Sequence, residues 1–140
     1  MPFGSTLENP EVPRRGLRIL LVDDNEVIQR VVERVAEKLG HQVIRALTGA
    51  AALRAARTTD PDIIVLDLGL PDADGRDVLN KLKANKVTAH IPVVVWSGRE
   101  GESDSRISLS LGAEDYVEKG DALLLIRKLE RVSLRLDESA

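Results

Sequence analysis

Three apolar runs constrain the fold of this chain most strongly, because a strand that is apolar on both faces must be covered on both faces. The runs are LRILLVDD at 17–24, DIIVLD at 62–67 and IPVVVW at 91–96. Each has the length of a buried strand and is followed by polar or turn residues. Segments with helical periodicity lie between them. This alternation predicts an α/β fold with a doubly wound parallel sheet and right-handed crossovers.

Five strands and five helices are expected in alternation. The first helix is indicated by apolar residues at three- and four-residue steps, with Gly40 at its C-terminal cap; these residues are Val27, Ile28, Val31, Val32, Val35 and Leu39. A second strand is predicted at 41–47, followed by an alanine-rich helix that Thr48 caps. A third helix carries Val78, Leu79 and Leu82.

The last third of the chain continues the same alternation. A weaker fourth helix is expected around 105–111 and a short strand at 114–117. The fifth helix starts at Asp121 and directs Leu125, Leu129, Val132 and Leu136 inward. Its additional apolar residues fit either ordinary core or a homodimer or partner surface; these are Leu123, Leu124, Ile126 and Leu134.

Length and composition limit the class of protein. The chain has 140 residues, 43% of them hydrophobic and 31% charged, which suits one globular domain. We predict a loose tail at 1–16, a domain at 17–136 and a C-terminal tail at 137–140. A net charge of -3 argues against direct nucleic-acid binding, and the absence of cysteine excludes disulfides and thiolate chemistry. With apolar runs only of strand length, we expect a soluble cytoplasmic protein without membrane contact.

Polar residues stand at the carboxyl ends of four predicted strands. Asp23 and Asp24 follow the first, Asp67 the third, Ser97 the fourth and Lys119 the fifth. Singly, each has a structural explanation as a helix cap, a turn residue or solvated surface. In a parallel sheet, however, these ends meet at one crevice, where three carboxylates would repel one another without a positive group among them. Mg²⁺ or a similar hard cation, together with a phosphate, fits this set.

These strand-end residues and the segments around them resemble those of bacterial two-component receiver domains, as found in chemotaxis regulators. The resemblance is carried by LLVDD, IIVLDLGLPDADG, VVVWSG and the strand that runs through Tyr116 to Lys119. Asp67 and Ser97 are 30 residues apart, and Ser97 and Lys119 are 22 apart. This spacing behind an acid pair is highly specific for the family, whose fold is flavodoxin-like with five parallel strands.

The resemblance implies a phosphoacceptor signalling domain rather than an enzyme. Asp67 would accept a phosphoryl group from a sensor histidine kinase or a phosphotransfer protein, assisted by Lys119 and Ser97. Mg²⁺ or Mn²⁺ would be held by Asp24, by Asp67, by the backbone carbonyl of Gly69 and, through water, by Asp23. A switch formed by Ser97 and Tyr116 would pass the signal to a downstream protein partner.

Two departures from the family pattern stand beside the active-site residues. Gly120 follows Lys119, where the family usually has proline, often through a cis bond, so we expect a trans bond and a freer loop here. Gly69 stands two residues after the nucleophile, and we hypothesise that it leaves Asp67 open to water and shortens the life of the phosphoryl group, with Arg99 as a further modifier.

Two other functions remain as alternatives. A pseudo-receiver would keep the fold as an interaction module without phosphorylation. A haloacid-dehalogenase-like phosphatase would use a similar sheet and an aspartate nucleophile, but it needs a second aspartate where this chain has Gly69.

Overall fold

One parallel sheet with helices on both faces forms the molecule, in a computed structural model that describes residues 15–98 and 102–139. The strand order is β2-β1-β3-β4-β5. Within the described residues the elements are β1 (Arg18–Val22), α1 (Glu26–Lys38), β2 (Gln42–Ala46), α2 (Gly49–Thr59), β3 (Ile63–Leu66), α3 (Gly75–Ala84), β4 (Val93–Ser97), α4 (Glu102–Ser110), β5 (Asp115–Glu118) and α5 (Ala122–Ser139). The doubly wound α/β prediction is confirmed.

The central strands are buried on both faces, as their apolar sequences predict. Alternate residues such as Ile19 and Val65 enter a core layer with α1 and α5. Their neighbours in sequence, such as Leu20 and Ile64, enter a second layer with α2 and α3. Successive strand side chains point to opposite faces, so an unbroken apolar run supplies both layers at once.

The helix ends follow local capping rules. Asn25 caps α1 by accepting hydrogen bonds from the N–H groups of Val27 and Ile28 at 2.9 and 3.1 Å. Thr48 caps α2 as predicted, and Gly40 follows α1 with a φ of 85°, a left-handed conformation that suits glycine. Because Asn25 is the cap of α1, the acid pair before it is available for another role.

The inward face of α1 differs from the prediction. Val27 and Val31 are 61% and 51% exposed, whereas the fully buried residues are Gln29, Val32 and Ala36. At about 100° per residue, the two exposed valines lie roughly a quarter turn or more from this buried stripe. Six apolar residues on a 13-residue helix span more of its circumference than the sheet covers.

The C-terminal end of the domain also differs from the prediction. α5 continues to Ser139, so residues 137–139 extend a helix where we predict a tail, because neither glycine nor proline follows Leu136 to end it. Of its additional apolar residues, Ile126 is buried in the core, while Leu123 and Leu124 are exposed.

The predicted N-terminal tail lies outside the described residues except for positions 15 and 16. Among the helices described, none has both the length and the apolar content needed to cross a membrane.

A buried polar pair links the loop before β2 to α5. His41 Nε2 lies 2.7 Å from Glu130 Oε2, and both side chains are almost completely buried. His41 Nδ1 accepts the N–H of Leu17 at 2.9 Å, so the ring proton is assigned to Nε2, which donates to the carboxylate. Arg127 reaches the other oxygen of Glu130 at 2.8 Å. The carboxylate is thus paired on both oxygens.

Candidate functional site

The strand-end residues predicted from sequence meet at one edge of the sheet. Asp23 and Asp24 directly follow β1, Asp67 directly follows β3, and Lys119 directly follows β5. Ser97 is the last residue of β4, where it pairs in register with Glu118. Because all five strands are parallel, their carboxyl ends form a single crevice, and the structure brings all of these residues to it.

The three carboxylates form a compact cluster. One oxygen from each of Asp23, Asp24 and Asp67 lies within 4.8 Å of the others. Asp23 is buried and Asp67 is 8% exposed, whereas Asp24 is exposed. The cluster therefore opens to solvent on the side of Asp24, whereas Asp23 and Asp67 are largely covered.

Lys119 supplies positive charge beside two of the three carboxylates. Its Nζ lies 2.6 Å from Asp23 Oδ2 and donates a hydrogen bond to Asp67 Oδ2 at 3.2 Å. Burial alone would lower the pKa of Lys119, but these two carboxylates outweigh it, and the pKa is raised. The ammonium also lies 5.8 Å from the centroid of the Trp96 ring, within cation–π range.

The loop at Gly120 leaves Lys119 in place. No peptide bond is cis in the described residues, so the bond between Lys119 and Gly120 is trans. The backbone N–H of Lys119 donates to the carbonyl of Ser97 at 3.0 Å, which extends the β4–β5 pairing by one residue. Proline is therefore not needed to direct this lysine into the site.

The donor set fits a hard divalent cation. Asp23 Oδ1 accepts the N–H of Asn25 at 2.9 Å, and Asp67 Oδ1 accepts the N–H of Gly69 at 3.2 Å. Asp23 Oδ2 is buried, and its contact among the described residues is the ion pair with Lys119. One ammonium against three carboxylates leaves an excess of negative charge, and an oxygen-coordinated cation would neutralise it.

The other predicted site residues lie around the cluster. Ser97 is buried. Tyr116 is half-buried and packs against the core layer that faces α2 and α3. Gly69 forms an isolated bridge with Asp74, and a Cβ added to it would meet nothing within 4 Å. Arg99 lies outside the described residues.

Two polar residues in the described part of the chain escape prediction from sequence. Asp72, in the loop after β3, accepts the N–H groups of Gly49 and Ala50 at 2.7 and 3.1 Å, and these donors lower the pKa of its carboxyl. Gln29 occupies a fully buried position on α1. A polar residue on an otherwise apolar helical stripe is the sequence signal that could have identified Gln29.

Comparison with known proteins decides the family. The sequence model of the response regulator receiver domain matches residues 19–129. The chain belongs to the response regulator receiver domain family. Receiver domains are the signalling domains of two-component systems and generally take phosphate from histidine kinases, so the resemblance seen in the sequence is confirmed.

Individual relatives agree with this assignment. The chain is 48% identical over 101 residues to the transcriptional regulatory protein KdpE of Mycobacterium tuberculosis, covering 72% of this chain and 43% of KdpE. The chain thus spans less than half the length of this relative. A CheY-like receiver domain protein from Methanospirillum hungatei matches with a TM-score of 0.81 at 25% identity, covering 89% of this chain and 99% of that one. The Mn²⁺-bound form of response regulator Rcp1 matches with a TM-score of 0.68 at 32% identity, covering 82% and 89%.

Proposed function

We propose that Asp67 is the residue of this receiver domain that accepts the phosphoryl group. The observation that carries the proposal is the position of its carboxylate, which is largely buried, 3.2 Å from Lys119 Nζ and within 4.8 Å of Asp23 and Asp24. A carboxylate oxygen of Asp67 attacks the phosphorus of a phosphohistidine. The P–N bond breaks, and its electron pair leaves with the imidazole of the donor.

The three acids hold Mg²⁺ or Mn²⁺ in this proposal. Asp24, Asp67 and the carbonyl of Gly69 would bind the ion directly, and Asp23 would bind it through water. The ion would supply positive charge to the oxygens of the transferring group. The charge excess of the cluster supports this assignment, and so does the Mn²⁺ bound by Rcp1, a relative at 32% identity.

Lys119 and Ser97 act on the transferred group. The raised pKa of Lys119 keeps its ammonium charged, so that it can stabilise a phosphoryl oxygen after transfer. The hydroxyl of Ser97 donates to another phosphoryl oxygen. Tyr116, two residues before the end of β5, turns inward behind Ser97 as the second part of the switch.

The signal passes to a downstream protein in this proposal. The face formed by α4, β5 and α5 is the readout surface, and the exposed Leu123 and Leu124 at the start of α5 suit a homodimer or another protein partner. The phosphoryl donor is a sensor histidine kinase or a phosphotransfer protein. We place the receiver domain at 17–136, with the end of α5 continuing to Ser139. We place the protein in the cytoplasm, without direct contact to nucleic acid or membrane.

One experiment tests the phosphoacceptor assignment. The protein is incubated with MgCl2 and acetyl phosphate, and intact mass is measured for wild type, Asp67→Asn and a matched control, Asp62→Asn, whose carboxylate is paired with Arg15 at the opposite edge of the sheet. We expect one added phosphoryl group in wild type and in Asp62→Asn, and none in Asp67→Asn. An absent adduct in wild type would indicate a pseudo-receiver, and many turnovers of phosphoesters would indicate a phosphatase.

A further inference from the structure

Gln29 is a fully buried polar residue on the inner face of α1, directly behind the acid pair. Its Nε2 lies 3.0 Å from the carbonyl oxygens of Leu21 and Asp23 and 3.1 Å from that of Ala46. Two amide hydrogens are thus shared among three carbonyls. The side chain connects α1 to the ends of β1 and β2 at the point where β1 turns into the acid pair.

The three neighbouring carbonyls determine the orientation of the Gln29 side-chain amide. The reverse orientation would place Oε1 against three carbonyl oxygens, so the nitrogen must face them. Among the described residues, Oε1 of Gln29 is then a buried oxygen without a hydrogen-bond partner, which destabilises a fold. An apolar side chain of similar length would avoid this cost, but it would leave the carbonyl of Asp23 without the donor that Gln29 supplies. The glutamine therefore matters most at the backbone of the acid pair.

The amide fixes the peptide that joins the two acids. The N–H of Asp23 donates to the carbonyl of Ala46 at 3.0 Å, and the carbonyl of Asp23 accepts from Gln29. Both backbone polar groups of Asp23 are thereby held. Asp24 follows across the same peptide and is exposed, so the direction of its carboxylate depends on its backbone more than on packing.

We propose that Gln29 is a positioning residue for the divalent cation. By holding the carbonyl of Asp23, it keeps the carboxylates of Asp23 and Asp24 aligned before the ion binds, which lowers the cost of ordering them. Residues that orient metal ligands from behind in this way typically change metal affinity by about 10- to 100-fold when they are replaced. The inference rests on the proposed function, because it concerns the metal site of that reaction.

The test replaces the amide without changing the volume much. Gln29→Met removes the N–H donors and keeps the chain length, and Gln29→Leu is a second apolar variant in case the first does not fold. Val32→Ala is the matched control, because Val32 is fully buried on the same stripe of α1 and its side chain has no polar group. Thermal melting in EDTA shows whether each variant is folded and how much stability it has lost.

Mg²⁺ affinity is measured by titrating isotope-labelled protein with MgCl2 and following backbone amide resonances by NMR. We expect Gln29→Met to weaken Mg²⁺ binding roughly ten-fold, while Val32→Ala keeps the wild-type affinity even if it melts at a lower temperature. In the acetyl phosphate reaction, the Mg²⁺ concentration for half-maximal rate should rise in Gln29→Met, and the rate at saturating Mg²⁺ should stay close to wild type.

Three outcomes overturn the inference. Equal Mg²⁺ affinity in wild type and Gln29→Met would overturn it and leave the proposed function intact. An equal loss of affinity in Val32→Ala would show that Gln29 acts only through the packing of α1. Failure of wild type to bind Mg²⁺ at all would overturn the metal site of the proposed function, and the inference with it.

Discussion

Gly75, the first residue of α3, permits a close approach between that helix and the residue that accepts the phosphoryl group. A Cβ added to Gly75 would lie 2.4 Å from Leu68 Cα and 2.6 Å from the carbonyl oxygen of Asp67, and both contacts are to backbone. Ordinary contacts of a Cβ begin at 3.4 Å. In Gly75→Ala, either α3 or the segment 67–68 must therefore move by about 1 Å, because backbone cannot rotate away as a side chain can.

The change in unfolding free energy of Gly75→Ala combines a gain in helix propensity with a cost of overpacking. Alanine gains up to about 1 kcal/mol over glycine in a helix, whereas overpacking of a close contact typically costs about 1–3 kcal/mol. We expect Gly75→Ala to lose roughly 1–2 kcal/mol of unfolding free energy. A 1 Å displacement of a reacting group can lower a rate by about 100-fold, so phosphorylation should fall by much more than stability.

Urea unfolding and the rate of phosphorylation by acetyl phosphate check this prediction together. Gly120→Ala is the matched control, because a Cβ there meets nothing within 4 Å and its φ is not positive; a compatible Gly→Ala change should alter stability by less than about 1 kcal/mol. A Gly75→Ala protein that is phosphorylated at the wild-type rate would refute the reasoning.

Three further predictions concern other contacts. Gly69→Met should slow the loss of the phosphoryl group, since the glycine leaves open space beside the acceptor; faster loss, measured by mass spectrometry over time, would contradict this. Glu130→Ala should lower the unfolding free energy by roughly 1–3 kcal/mol, because it leaves the buried His41 Nε2–H without its acceptor. Glu130→Gln should lose less in urea titrations, and equal losses would exclude the hydrogen bond as the cause. Burial alone would raise the pKa of the Asp62 carboxyl, but Arg15 and a backbone N–H hold this pKa below its usual value. The ionised carboxylate therefore stabilises the fold above about pH 3.9. This stabilisation is lost in more acidic solution. Asp62→Asn should cost under about 1 kcal/mol at pH 7 and nothing at strongly acidic pH, and a pH-independent difference in unfolding free energy would contradict this.

Much of the site could be predicted because its residues share one position relative to their strands. Asp23, Asp67, Ser97 and Lys119 each stand at a strand end, and parallel strands place those ends together whatever the details of packing. The capping residues are equally local, since Thr48 and Gly40 act within a few residues of their own position. Signals of this kind need no knowledge of contacts distant in sequence.

Contacts between distant segments were not predictable in the same way. The role of Gln29 depends on three carbonyls at or just after the ends of β1 and β2, and carbonyls carry no sequence signal. The pairing of His41 with Glu130 joins residues 89 positions apart. The exposed Val27 and Val31 belong to the same apolar pattern as the residues beside them, and only the position of α1 on the sheet decides which face is covered.

The contact between Lys119 and Trp96 gives this domain its own optical reporter. Trp96 is the only tryptophan in the sequence, so all indole emission comes from one ring whose centroid lies 5.8 Å from the ammonium. An ammonium that leaves its two carboxylates to meet a new anion would change the electric field across that ring. The intrinsic fluorescence of the unlabelled protein would then follow ion binding and phosphoryl transfer in real time.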